Sequence, residues 1–91
     1  MLQVRVAERR DWKRKIGNVT LSGVDLPDHK DGSEIAYQIE GQDWWSDPIW
    51  RGERNELGTI FRALVLYLDA GKDVEEIVNV YWTGNGVTIE C

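Results

Sequence analysis

The spacing of apolar residues in the second half of the chain predicts one long amphipathic helix. Apolar side chains recur there three or four residues apart, which places them on a single helical face. They are Leu57, Ile60, Phe61, Leu64 and Leu68. Asn55 is the expected N-cap, and Gly71 is expected to end the helix in a left-handed conformation. Residues 65–67 widen the apolar stripe, which predicts cover on more than one side, by a sheet and by a second subunit.

Alternating apolar and polar residues on both sides of Asn85-Gly86 predict a β-hairpin near the end of the sequence. A type I′ turn with these two residues as its loop pairs Gly84 with Val87, and the other pairs follow by counting. One face of the hairpin then carries the apolar set, which is Val78, Val80, Trp82, Val87, Ile89 and Cys91. Residues 73–76, between helix and hairpin, have the spacing of a capping box and fit either a short helical turn or a plain loop.

Alternation in the first half of the chain predicts three more strands, at residues 2–7, 19–21 and 35–40. Residues 8–15 are expected to form an extended, charged hairpin rim, with a helical turn as the alternative. The order β-β-β-α-β-β predicts a small α+β fold in which one long helix packs against a mostly antiparallel sheet. A chain of 91 residues is expected to form this single domain and no other.

Composition argues against several classes of protein. No apolar run is long enough to span a membrane, so no membrane partner is expected. The single cysteine, Cys91, and the charged start of the chain favour a cytoplasmic location. His29 and Cys91 are far apart in sequence, and the acids within residues 25–34 lack the spacing of a calcium loop. We therefore expect a non-enzymatic protein with no catalytic residues, no metal site and no cofactor.

Charge is distributed unevenly along the sequence. Residues 1–15 hold six bases and two acids, residues 16–49 hold one base and seven acids, and residues 50–91 hold four bases and seven acids. These segments carry net charges of +4, −6 and −3, which sum to the −5 of the whole chain. The acidic majority disfavours general binding to nucleic acid and favours a partner protein with a basic patch.

Three tryptophans within residues 44–50 are the leading candidate for a binding surface. Some are expected to cover the open end of the core and others to be exposed, where tryptophan is a frequent binding hot spot. With nearby acids they form the predicted partner-binding set, which is Asp28, Asp31, Asp43, Trp44, Trp45, Asp47 and Trp50. By analogy of size and charge, this set predicts a small inhibitor or adaptor of the toxin-immunity or phage anti-defence kind. It would occlude a basic and partly apolar patch of another protein.

A basic segment around one tryptophan supports a second hypothesis, a nucleic-acid-associated module. Cations that surround an aromatic ring can hold a nucleic acid backbone while a base stacks on the ring. The residues concerned are Arg9, Arg10, Trp12, Lys13, Arg14 and Lys15. The alternative is a solvated strand rim that discourages edge-to-edge aggregation and needs no ligand. A third hypothesis is a homodimer that buries the wide helix stripe.

Overall fold

The structure is a computed structural model that describes residues 12–26 and 32–91. The elements within these ranges are β1 (Trp12–Ile16), β2 (Val19–Asp25), β3 (Gly32–Ile39), β4 (Trp50–Glu53), α1 (Leu57–Asp69), β5 (Asn79–Thr83) and β6 (Gly86–Glu90). The predicted α+β class and the order of strands around the helix are confirmed. β4 is a short additional strand that the alternation did not indicate. The strand predicted at residues 2–7 lies outside the described residues.

Within the described ranges, β1 to β4 form one antiparallel sheet in the order β1-β2-β3-β4. β1 and β2 are joined at Gly17, whose φ of +63° is rarely adopted by residues with a side chain. Burial alternates along β2, where Val19 and Leu21 join the core and their neighbours face away from it. β1 confirms an extended conformation for residues 12–15, whereas residues 8–11 are not among those described.

α1 buries one apolar face in the core. Its buried residues are Leu57, Ile60, Phe61, Leu64, Val65 and Leu68. Leu66, a member of the predicted stripe, is 65% exposed. Gly71 has a φ of +86° and its N–H donates to the Leu68 carbonyl at 3.0 Å, which confirms the predicted helix end. The predicted N-cap at Asn55 is wrong, because that residue lies inside a 3₁₀ turn, Arg54–Glu56, that precedes α1.

β5 and β6 form a separate two-stranded sheet, which confirms the hairpin but not its register. Thr83 lies opposite Gly86, so Gly84 and Asn85 form the loop, one residue earlier than predicted. Neither loop residue has a positive φ, and the predicted type I′ turn is therefore wrong. Each pairing partner shifts by two residues, which keeps every side chain on its predicted face.

The helix, both sheets and the segment before β4 share one hydrophobic core. Its buried members are Val19, Leu21, Ile35, Ile49, Trp50, Leu57, Ile60, Phe61, Leu64, Val65, Leu68, Val74, Ile77 and Val80. The Val80 N–H donates to the Ile49 carbonyl at 3.2 Å and links the two sheets. Asp73 caps the turn Val74–Glu76 by accepting a backbone hydrogen bond at 2.9 Å, so a short helical turn forms there rather than a plain loop.

Candidate functional site

Residues 43–47, in the connection from β3 to β4, form an exposed segment that we call the tryptophan loop. Trp44 is 50% exposed and Trp45 is 41% exposed. The two flanking acids of the predicted partner-binding set, Asp43 and Asp47, are exposed as well. The loop therefore presents two large aromatic rings and two carboxylates to solvent within five residues.

Trp50 does not belong to this surface. It lies in β4 opposite Ile35, and only 5% of it is exposed. Its ring joins the core beside Ile49, which is equally well buried. A side chain this inaccessible cannot contact a partner, so Trp50 is corrected from the predicted binding set to the core.

Hydrogen bonds to β3 hold the tryptophan loop in place. The Ser46 N–H donates to the Tyr37 carbonyl at 2.8 Å, and the Tyr37 N–H donates to Ser46 Oγ at 3.0 Å. At the start of the loop, Gln38 Nε2 donates to the Gln42 carbonyl at 3.0 Å. Because these bonds already fix the loop, it would lose little conformational entropy if a partner bound it.

The tryptophan loop lies against the basic strand β1. The Lys13 ammonium is 5.8 Å from the centroid of the Trp45 ring, within the range of a cation–π contact. Trp12 packs against Phe61 of the helix, so Lys13, the next residue of the strand, points to the opposite face of the sheet. Trp45 therefore lies over that outer face, and the two segments predicted to bind partners adjoin each other.

Three ion pairs within the described ranges neutralise acids of the sheet. Measured between nitrogen and oxygen, they are Lys15–Glu40 at 2.9 Å, Arg51–Glu34 at 2.9 Å and Arg54–Asp25 at 3.2 Å. In the last pair Arg54 Nε has no hydrogen-bond partner, so that contact is electrostatic only. Lys15 lowers the pKa of Glu40, first through their hydrogen bond and then through its charge. None of these three pairs between described residues includes Asp43 or Asp47.

The other predicted residues fall into two groups. Outside the described residues are Asp28, Asp31, Arg9 and Arg10. Exposed in β1 are Lys13, Arg14 and Lys15. Trp12 is half-buried, with its ring centroid 5.7 Å from that of Phe61. A base could stack only on the part of Trp12 that the core leaves uncovered, and nucleic acid binding stays a prediction.

Arg62, which sequence reasoning missed, completes a cleft between β1 and α1 that we call the cationic cleft. Its volume is about 190 Å³, and it is lined by Trp12, Lys13, Arg14, Phe61, Arg62 and Val65. Arg62 is remote from β1 in sequence and reaches it only because α1 packs on the sheet. No local sequence pattern indicates such a site.

Groups suited to acid–base or metal chemistry are sparse in the described part of the chain. No three His, Cys, Asp or Glu side chains there are placed to share a metal ion. The Tyr67 hydroxyl lies 3.2 Å from Cys91 Sγ and donates to the Asp73 carbonyl at 3.3 Å. The contact with Cys91, followed by burial, raises the pKa of Tyr67 to about 12. A phenol that holds its proton this firmly is a poor general base at neutral pH.

Two further observations bear on the class of protein. Across the described ranges, no helix has the length and apolar character needed to cross a membrane. Comparison with known proteins found no match among family models, curated proteins or solved structures. We therefore infer function from the exposed surface and its chemistry.

Proposed function

We propose that this chain is a non-enzymatic protein-binding protein, an inhibitor or adaptor, that occludes a basic and partly apolar patch of another protein. The observation that carries the proposal is the pair of adjacent tryptophans, Trp44 and Trp45, exposed by 50% and 41% on a hydrogen-bonded loop. Tryptophan is enriched among binding hot spots because its ring buries a large apolar area when a partner covers it. Both rings are available because Trp50 fills the core position of this segment.

The chemistry of the loop supports a basic, partly apolar surface on the partner. Asp43 and Asp47 flank the two rings, so the opposing surface should carry lysine or arginine around an apolar pocket. Charges at the rim speed association and set the orientation, whereas buried rings supply most of the binding energy. Asp28 and Asp31 belong to the same acidic half of the chain, and we include them in the proposed rim on sequence grounds.

Inhibition by this loop would be steric. Two rings inserted into a pocket of the partner block that pocket, and no group on the loop needs to react. The net charge of −5 and the length of 91 residues suit an inhibitor of the toxin-immunity or phage anti-defence kind. A cytoplasmic location is part of the same proposal.

Quantitative capture with matched tryptophan variants tests the proposal. Immobilised wild type, a Trp44→Ala/Trp45→Ala variant and a Trp82→Ala variant are incubated with extract of the source cells, and bound proteins are quantified by mass spectrometry. Trp82 is the matched control because it is 44% exposed but lies on the hairpin, near Thr59 of the helix. We expect the control to recover the same partner as wild type. Loss of a hot-spot ring, worth about 2 kcal/mol or more, should lower the recovery of the loop variant at least about tenfold.

Charge variants test the acidic rim separately. Asp43→Asn/Asp47→Asn should slow association with the captured partner and reduce its dependence on salt, because rim charges act mainly on the association rate. Equal recovery of the same partners by wild type and by the tryptophan variant, with both shown to be folded by circular dichroism, would refute the proposed function.

A further inference from the structure

Positive charge on the described part of this acidic protein is concentrated around β1. Seven lysines and arginines lie within residues 12–26 and 32–91. Those held in ion pairs are Lys15, Arg51 and Arg54. Of the other four, none in an ion pair with a described residue, Arg14 and Arg62 bring their charge to the cationic cleft. Lys13 borders the cleft, but its ammonium lies near the Trp45 ring on the outer face of the sheet. The fourth, Lys72, is exposed just after α1.

The cationic cleft joins this charge to an apolar floor. The rings of Trp12 and Phe61 pack at a centroid distance of 5.7 Å and form the floor together with Val65. The cleft, at about 190 Å³, is larger than the roughly 150 Å³ cavity that suffices to bind benzene. It therefore fits an aromatic side chain whose neighbours are acidic.

We propose that the cationic cleft binds the tryptophan loop of a second copy of this chain, which gives a reciprocal homodimer. The inference rests on the proposed role of that loop as a protein-binding anchor. The loop supplies an indole ring, Trp44, in a segment bounded by the carboxylates of Asp43 and Asp47. The cleft supplies the basic, partly apolar patch that the loop requires. Charge complementarity between these two surfaces favours self-association of a chain whose net charge of −5 otherwise opposes it.

The positions of the two surfaces permit a closed dimer. Lys13 of β1 holds its ammonium 5.8 Å from the Trp45 ring on the outer face of the sheet, whereas its neighbours Trp12 and Arg14 line the cleft on the helix side. Loop and cleft therefore adjoin the same strand. A two-fold axis beside β1 brings each loop to the cleft of the other copy, and both contacts form together. Such a dimer covers both loops, so another protein must compete with the second copy for access to them.

Sedimentation equilibrium of charge-reversed variants tests the dimer. Wild type is compared with Arg62→Glu and with Lys72→Glu, which makes the same change of charge at an exposed residue outside the cleft. We expect wild type and Lys72→Glu to dimerise with similar dissociation constants. Arg62→Glu should raise the dissociation constant at least about tenfold, because it places like charges at both contacts.

A mixture of two variants identifies the contact. Asp47→Arg alone should weaken the dimer as Arg62→Glu does. In an equimolar mixture, one contact joins the native Asp47 to the native Arg62, and the other joins the two substituted side chains, which again have opposite charges. We expect the mixture to form a heterodimer of nearly wild-type affinity, whereas each variant alone forms only a weak homodimer.

Several results would overturn the inference. They are a monomeric wild type up to millimolar concentration, equal weakening by Arg62→Glu and Lys72→Glu, and no heterodimer in the mixture. Saturable binding of a single-stranded oligonucleotide that Arg62→Glu abolishes would assign the cleft to nucleic acid instead. If the chain is monomeric but Trp44→Ala/Trp45→Ala still loses its captured partner, only the dimer is refuted. If the Trp44→Ala/Trp45→Ala variant keeps both its captured partners and its dimer, the dimer and the proposed function are both refuted.

Discussion

Gly52→Ala should destabilise the protein, although adding a methyl group to a strand glycine is normally favourable. Trp50 and Gly52 are two residues apart in β4, so their side-chain directions share one face of the sheet. A Cβ at position 52 would lie 2.6 Å from Cζ2 and 3.1 Å from Cε2 of the Trp50 indole. That ring is only 5% exposed and packed in the core, so it cannot move aside without displacing its neighbours.

The magnitude follows from two opposing effects. Replacing glycine by alanine in a strand stabilises by about 0.5–1 kcal/mol, mainly by restricting the unfolded chain. Overpacking a core costs about 1–3 kcal/mol. We therefore expect the free energy of unfolding to fall by about 1–2 kcal/mol. In a domain of this size, that loss corresponds to a decrease in Tm of roughly 4–16 °C.

Urea unfolding followed by circular dichroism measures this effect, with two controls. Gly84→Ala adds the same methyl group where no atom lies within 4 Å and φ is not positive, so its stability should equal or slightly exceed that of wild type. In a Trp50→Leu background the indole is gone, and Gly52→Ala should no longer destabilise. A Gly52→Ala variant as stable as wild type, or equally destabilised in both backgrounds, would refute the steric reasoning.

Three further predictions concern other parts of the fold. Trp50→Ala should lower the free energy of unfolding by about 3–5 kcal/mol, whereas Trp44→Ala should change it by less than about 1 kcal/mol; equal losses in urea unfolding would contradict this. Gly71→Ala should cost about 1–2 kcal/mol in thermal unfolding, because the native φ of +86° disfavours a side chain, and an unchanged Tm would contradict this. The raised pKa of Tyr67, about 12 against the usual 10.0, means that its contribution to stability is complete below pH 10 and is lost between pH 10 and about 12. Cys91→Ala should lower that pKa in an absorbance titration of tyrosinate, and an unchanged last titration step would contradict this.

Local periodicity was sufficient to predict the helix and most of the strands. α1, β2 and β3 each bury one face, and that burial imposes the apolar stripe of the helix and the alternation of the strands. The residues within each element therefore suffice to predict its type.

The two faces of the hairpin were predictable, but its register was not. Gly84-Asn85 and Asn85-Gly86 are both plausible two-residue loops. Moving from one loop to the other shifts the partner of each strand residue by two positions. Either choice leaves each side chain on the same face, so the apolar pattern could not discriminate between them.

Features that depend on contacts between distant segments were not predictable. β4 has no alternation of apolar and polar residues, and its extended conformation comes from pairing with β3, where Arg51 lies opposite Glu34. The cationic cleft likewise requires Arg62 from the helix and Arg14 from β1. Each of these residues, taken alone, reads as an ordinary exposed cation on a solvated element.

The three tryptophans of residues 44–50 show how pairing between strands decides which aromatic rings are buried and which are exposed. Trp50 enters the core because β4 pairs with β3 at Ile35, and the hydrogen bonds of the Ser46 N–H and Oγ to Tyr37 of β3 fix the path of the loop before it. Trp44 and Trp45 are thereby left with much of their apolar surface in water. Covering that surface would remove apolar area from water, which favours association against the freedom that two partners lose when they bind. The same packing that stabilises the fold thus leaves apolar surface exposed at one loop, and burial of that surface would favour the binding proposed above.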